Sequence, residues 1–164
     1  MIDWRYDLAL TRRLESLADV VAGWALEMEL LSTDVELGQG WESDDGSKPH
    51  QFDMLQTAAE EAKCGETVCI YLDYQIARAT EGASWKYGGG GKTVLSRIEG
   101  DLKGRASQVA SGAAEDVRGR GAQATSNELA RAWILLIRQY VGCLTRRFKQ
   151  RKRDWELEKE NHDE

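Results

Sequence analysis

Residues 125–148 read TSNELARAWILLIRQYVGCLTRRF, and they carry the clearest helical pattern in the chain. It opens with a capping-box pattern, in which the Thr125 hydroxyl and the Glu128 carboxylate each accept a hydrogen bond from a backbone amide. Apolar residues then recur three and four positions apart, as on one broad face of a helix. They are Leu129, Trp133, Leu136, Ile137, Tyr140, Val141 and Leu144. The pattern predicts a long helix at about 124–158 whose first half lies in the core.

After Leu144 the same helix becomes strongly basic. Its cationic and aromatic residues are Arg146, Arg147, Phe148, Lys149, Arg151, Lys152, Arg153 and Trp155. Cations that neutralise phosphates give salt-dependent binding to nucleic acid, and aromatic rings stack on unpaired bases. The alternative is a solvated helix extension whose charge is balanced by acidic residues elsewhere in the chain. We expect a helical domain at 1–145 and a charged extension with an acidic tail at 146–164, so that truncation after Leu144 leaves the fold intact.

The composition is that of one helical domain. The chain has 164 residues, 41% of them hydrophobic, with six tryptophans and a single proline. Many Ala, Leu, Glu and Arg residues favour helices, and three cysteines without paired spacing favour a reducing compartment. The start lacks the pattern of a signal peptide, and no apolar run is long enough to span a membrane. We therefore expect a soluble, cytoplasmic protein with no membrane partner.

The charge is distributed unevenly along the chain. Residues 1–81 hold six Lys/Arg and 17 Asp/Glu, a net charge of −11, whereas residues 82–153 hold 15 Lys/Arg and five Asp/Glu, a net charge of +10. Residues 154–164 return to a net charge of −5. Such asymmetry concerns partners and association rather than fold.

A row of apolar residues near the start predicts a first helix at 4–31, packed in a bundle or in a self-associating coiled coil. The row alternates spacings of four and three: Leu10, Leu14, Leu17, Val21, Trp24, Met28 and Leu31. Together with the wide face of the last helix, it offers more apolar surface than a small bundle covers. We therefore expect a homo-oligomer.

Three further helices, at 50–64, 66–80 and 93–117, complete the prediction of an all-α bundle of four or five helices with the last helix extending beyond the core. Residues 66–74, ETVCIYLDY, are β-branched and aromatic, so a strand competes with the helix there. The predicted core consists of Leu14, Leu17, Val21, Trp24, Leu72, Ile76, Leu129, Trp133, Leu136 and Tyr140.

The region 82–121 holds ten of the sixteen glycines. The run at 88–91 precedes Lys92 but is not a Walker A loop, because Lys86 occupies the position where that loop requires its first glycine. We expect a flexible connection at 82–92. Lys86, Lys92, Arg118 and Arg120 are candidate secondary contacts for nucleic acid or another partner.

No catalytic motif or metal-ligand spacing occurs, and the acidic loop at 33–49 does not fit the register of a calcium-binding loop. We expect a non-enzymatic accessory or regulatory protein, without metal or cofactor, that binds another macromolecule. A protein partner, bound through Trp41, Trp85, Tyr87 and the charged C-terminal helix, is the first interpretation. The second is a nucleic-acid-binding regulator that uses residues 146–153, and the third is an enzyme whose site is assembled from distant carboxylates.

Overall fold

The structure, a computed structural model, describes residues 3–27, 51–79 and 84–162. Over these ranges every regular element is a helix and no strand occurs, which confirms the predicted all-α fold. The helices are α1 (Trp4–Glu15), α2 (Ala18–Leu26), α3 (Gln51–Glu61), α4 (Gly65–Arg78), α5 (Gly90–Arg97), α6 (Lys103–Arg118) and α7 (Ser126–His162). A 3₁₀ segment (Ser84–Gly89) leads into α5, and a π turn (Ile98–Leu102) joins α5 to α6.

Helix α7 is the element against which most of the others pack. It has 37 residues and is therefore about 55 Å long. Helices α2, α3 and α6 all lie against it, and α1 packs on α6. Its buried residues are Ala132, Trp133, Ile134, Leu136, Ile137, Tyr140, Val141, Leu144, Thr145 and Phe148. Burial of each large apolar side chain stabilises the fold by about 1.5–3 kcal/mol, so this face holds the molecule together.

The capping box at the start of α7 is present as predicted. The backbone amide of Thr125 donates to Glu128 Oε2 at 2.8 Å, and the amide of Glu128 donates to Thr125 Oγ1 at 3.2 Å. Arg118, the last residue of α6, adds two hydrogen bonds of 2.7 and 2.8 Å to the same carboxylate. One carboxylate thus caps α7 and ties it to the end of α6.

The predicted first helix is not continuous, because Ser16 and Leu17 separate α1 from α2. The Ser16 hydroxyl donates to the carbonyl of Arg13 at 2.7 Å, and the amide of Leu17 donates to the carbonyl of Leu14 at 3.1 Å. These three-residue spacings tighten the chain and end the regular helix. The break lets α1 pack on α6 while α2 packs on α7.

The described apolar residues of the row that begins at Leu10 pack inside the protein. Leu10 and Val21 are buried, whereas Leu14, Leu17 and Trp24 are half-buried against the core. Met28 and Leu31, together with residues 28–31 of the predicted helix, lie outside the described part of the chain. The described part of this row therefore leaves little apolar surface for self-association.

Residues 65–78 are helical, as predicted, despite their strand-like composition. Val68, Leu72 and Ile76 recur every four residues on the buried side of α4. Burial of this stripe outweighs the local β-propensity, because tertiary packing regularly overrides weak intrinsic preferences.

Within the predicted flexible connection at 82–92, residues 84–89 form the 3₁₀ segment and residues 90–92 begin α5, whereas residues 82 and 83 lie outside the described ranges. Gly91 lies so close to Ile76 and to the carbonyl of Trp85 that a Cβ at this position would overlap both. Glycine at 91 therefore permits close packing rather than flexibility.

The predicted core residues all lie in or against the core. Six are buried: Val21, Leu72, Ile76, Trp133, Leu136 and Tyr140. Four are half-buried and pack against that core: Leu14, Leu17, Trp24 and Leu129.

Trp133 joins four elements in the interior. Its indole N–H donates to the carbonyl of Ile98 at 3.0 Å, where the π turn begins. The Nζ atom of Lys103 lies 4.4 Å from the ring centroid, within cation–π range. Gly65, at the start of α4, packs on the ring so closely that a Cβ would overlap it.

Substitution of Gly65 tests this packing. We expect Gly65→Ala to lower the free energy of unfolding by about 1–3 kcal/mol, because the added methyl group overpacks the core against Trp133. The matched control is Gly104→Ala, where a Cβ meets nothing within 4 Å and helix propensity rises by up to about 1 kcal/mol. Urea unfolding followed by circular dichroism measures both. Equal stability of the two variants would contradict the close packing.

The Arg118–Glu128 pair predicts an acid-sensitive contribution to stability. Hydrogen bonds from Arg118, then from the Thr125 amide, lower the pKa of Glu128 from 4.5 to about 2. A carboxylate with a lowered folded-state pKa stabilises the fold above its unfolded pKa and loses this contribution as the pH falls through its folded pKa. We expect Glu128→Gln to destabilise the protein at pH 7, and the difference from the wild type to shrink between about pH 4.5 and pH 2. Thermal unfolding at several pH values measures this, and a difference that does not depend on pH would contradict it.

Candidate interaction surfaces

Two of the aromatic residues chosen from the sequence lie inside the protein. Trp85 and Phe148 are each 1% exposed, so the interpretation of Trp85 as an interface residue and of Phe148 as a base-stacking residue is wrong. Both rings belong to one cluster with Phe52, whose centroid lies 5.3 Å from that of Trp85 and 5.0 Å from that of Phe148. Trp41 lies outside the described ranges, and only the backbone is described at Tyr87 and Trp155.

The core extends past the predicted boundary at residue 145. Phe148 lies four positions after Leu144 and continues the buried stripe of α7. The hydroxyl of Thr145, which is also buried, lies 2.9 Å from the carbonyl of Val141 and 3.3 Å from that of Phe52. The reason for expecting truncation after Leu144 to be harmless therefore fails, because it would remove an aromatic residue from the core.

The basic residues at 146–153 differ in how they are placed. Arg146 and Arg153 are exposed, whereas Arg147, Arg151 and Lys152 are half-buried. Lys149 forms an ion pair of 2.8 Å with Asp53 of α3. Its side chain is nevertheless 57% exposed, so Arg146, Lys149 and Arg153, at helical spacings of three, four and seven, form a cationic stripe on the outside.

Ion pairs join the acidic first half of the chain to the basic second half. Asp7 pairs with Arg131 at 3.0 Å, Glu27 with Arg97 at 3.6 Å, and Asp53 with Lys149 at 2.8 Å. Part of the charge asymmetry seen along the sequence is therefore neutralised within one molecule.

The secondary cationic candidates fall into two separate settings. Lys86 and Lys92 both line a cavity of about 270 Å³, together with Ile76, Trp85 and Gly89. Arg118 donates two hydrogen bonds to the Glu128 carboxylate, and these raise the pKa of Arg118. Arg120 is exposed in the turn that leads to α7.

An exposed aromatic surface that the sequence pattern did not predict lies on α1. Trp4 is 67% exposed and Leu8, one helical turn later, is 43% exposed. Together with Arg5 and Arg12 they line a groove of about 430 Å³ between α1 and the end of α6, here named the α1 groove. Its remaining lining residues are Ala9, Arg13, Asp116 and Val117. In the sequence, this surface is indicated by Trp4 and Leu8, which are four residues apart and do not belong to the apolar row that begins at Leu10.

Charge in the α1 groove is predominantly positive. Arg13 and Asp116 neutralise each other through two hydrogen bonds of 2.7 and 2.9 Å. These bonds hold the pKa of Asp116 below its ordinary value and raise the pKa of Arg13. Arg5 lies over Trp4, with its guanidinium carbon 5.6 Å from the ring centroid, and Arg12 is exposed. The groove thus presents an aromatic ring, an aliphatic side chain and two guanidinium groups.

A second exposed apolar surface lies on α4. Ile70 is 71% exposed and Tyr74, one turn later, is 60% exposed. The guanidinium carbon of Arg78 lies 5.7 Å from the Tyr74 ring centroid, and Glu66 is exposed one turn before Ile70. We name these four residues the α4 surface.

Neither surface carries a recognisable catalytic or metal site. Among the described residues, no three His, Cys, Asp or Glu side chains come together as metal ligands, and Cys64, Cys69 and Cys143 are free thiols. No helix within the described ranges is both long and apolar enough to cross a membrane. No protein-family model, curated protein or solved structure shows a significant similarity to this chain.

The buried position of Phe148 predicts a large effect of its removal. We expect Phe148→Ala to lower the free energy of unfolding by about 3–5 kcal/mol, because it leaves a cavity beside Phe52. The matched control on the same helix is Leu157→Ala, since Leu157 is 50% exposed and its truncation leaves no cavity. Chemical denaturation measures both variants. If Phe148→Ala were as stable as the control, residues after 145 would lie outside the core.

Proposed function

We propose that this is a non-enzymatic binding protein that docks on another protein through the α1 groove. The observation that carries the proposal is Trp4, a large aromatic side chain that is 67% exposed on the rim of a groove of about 430 Å³. Tryptophan and arginine are enriched among the residues that dominate binding energy at protein interfaces. The groove combines Trp4 with Arg5, Arg12 and the aliphatic side chain of Leu8.

The chemistry of the groove defines the kind of partner segment that fits. An apolar anchor residue would cover Trp4 and Leu8 and remove both from water. Carboxylates beside that anchor would pair with Arg5 and Arg12, whose planar guanidinium groups bind carboxylates through two parallel hydrogen bonds. We therefore infer a partner segment in which an apolar residue is flanked by Asp or Glu.

The nucleic-acid alternative rests on the cationic stripe of Arg146, Lys149 and Arg153. Lys149 already pairs with Asp53, and Phe148 is buried and so unable to stack on a base. Three phosphate contacts would give a salt dependence with a log–log slope of only about −2 to −3. This stripe supports weak, salt-sensitive binding at most, so we place nucleic acid second.

The enzyme alternative has little support from the described carboxylates. Asp116 and Glu128 both have lowered pKa values, in each case because an arginine donates hydrogen bonds to the charged form. A general acid requires the opposite shift. Both groups serve in ion pairs that join helices.

A displayed library of random peptides tests the protein-partner proposal. We expect selection on the immobilised full-length chain to enrich peptides in which an apolar residue is flanked by Asp or Glu. Fluorescence anisotropy with these peptides should show a loss of affinity of at least about thirtyfold for Trp4→Ala, the effect expected of a binding hot spot. The double variant Arg5→Glu/Arg12→Glu should no longer bind the acidic peptides, because its carboxylates repel theirs.

Two controls make this test decisive. Leu157→Lys changes an exposed apolar residue outside the groove. This variant should bind the peptides with the same affinity as the wild type. Labelled single- and double-stranded oligonucleotides, titrated at low and physiological salt, should bind weakly or not at all. Tight oligonucleotide binding at physiological salt, or enriched peptides that bind Trp4→Ala as well as the wild type, would overturn the proposal.

A further inference from the structure

Helix α4 is apolar on two opposite sides. Val68 and Leu72 are fully buried on its inner side. Ile70 and Tyr74, which are 71% and 60% exposed, lie on the outer side. Single exposed apolar residues are common on protein surfaces, but two large ones a helical turn apart form a stripe that a partner helix can cover.

The four residues of the α4 surface are arranged symmetrically about Leu72. Ile70 and Tyr74 lie two positions before and after it, and Glu66 and Arg78 lie six positions before and after it. Each apolar residue therefore has an apolar counterpart, and the acidic residue has a basic counterpart, at the same distance from the centre.

This symmetry is what a helix requires to pair with a copy of itself. Consider two antiparallel helices related by a two-fold axis at the level of Leu72. Each residue then lies level with the residue of the other copy that is equally far from Leu72 in the opposite direction along the sequence. Ile70 of one copy then meets Tyr74 of the other. Glu66 comes level with Arg78 of the other copy, about 9 Å from the two-fold axis at a rise of 1.5 Å per residue. A parallel pair in register would instead place Glu66 beside Glu66.

We propose that the α4 surface is a homodimer interface, in which two copies of this chain pair their α4 helices antiparallel about Leu72. Glu66 and Arg78 are both exposed, and neither forms an ion pair with another residue in the described ranges. Arg78 lies over the Tyr74 ring, so its charge is held at the edge of the stripe that the second copy covers. The charges required by this register are thus exposed at both ends of the apolar pair.

The dimer is expected to be weak. A single pair of helices buries less than the roughly 800 Å² per partner of a standard interface. We therefore expect a dissociation constant on the order of 10–100 μM, well below the affinity of a permanent dimer. The α4 surface is distinct from the α1 groove, so this dimer and the proposed partner can be tested separately.

Sedimentation equilibrium of the full-length chain from micromolar to submillimolar concentration measures the association. The wild type should form dimers over this range, and Ile70→Lys should raise the dissociation constant at least about tenfold, because it places two charges in the apolar centre. The control Leu157→Lys adds the same charge at another exposed apolar position and should dimerise like the wild type. Circular dichroism checks that each variant remains helical.

A charge exchange tests the register. Glu66→Arg and Arg78→Glu each create two repulsive pairs in their own homodimers, so each variant alone should dimerise less than the wild type. An equimolar mixture of the two restores both attractive pairs in a heterodimer and should regain the wild-type association. A wild type that remains monomeric up to submillimolar concentration, or one whose dimer tolerates Ile70→Lys, overturns the proposed interface. If the mixture associates no better than either variant alone, the antiparallel register is overturned.

Discussion

The buried apolar face of α7 is the constraint on which the rest of the fold depends. Helices α2, α3 and α6 each cover part of this face, and α1 reaches the core by packing on α6. The face runs from Ala132 to Phe148, so one helix supplies a continuous wall of the interior. The other helices are short, and their burial rather than their intrinsic propensity accounts for most of their stability.

Electrostatic contacts contribute less to the stability of this helix packing than apolar burial does. The ion pairs of Asp7 with Arg131 and of Asp53 with Lys149 lie at the molecular surface, where screening limits each to a small contribution. Glu128 contributes more specifically, since one carboxylate both caps α7 and fixes Arg118 at the end of α6. The Arg118–Glu128 pair thus joins the end of α6 to the start of α7, whereas the pairs between the two halves of the sequence lie at the surface.

The exposed apolar surfaces lie on helices at the edge of this arrangement. Helix α1 packs mainly on α6 and reaches α7 through the Asp7–Arg131 ion pair, and its outer side, with Trp4 and Leu8, remains in solvent. Helix α4 buries one stripe, which leaves Ile70 and Tyr74 on the opposite side. Both surfaces combine large apolar side chains with nearby charges, which is why we interpret them as binding surfaces.

Features that depend on residues close along the chain could be predicted from the sequence. Helical class, the capping box of Thr125 and Glu128, and the inward face of α7 follow from spacings of three and four, because those positions are neighbours on a helix. Which aromatic residues are buried could not be predicted in this way, because burial depends on tertiary packing. Phe148 and Trp4 are both aromatic residues on helices, but Phe52 of α3 packs on Phe148, whereas Trp4 is 67% exposed. Periodicity identifies the apolar side of a helix, whereas exposure depends on which other helices pack against it, and that is set by contacts between residues far apart in the sequence.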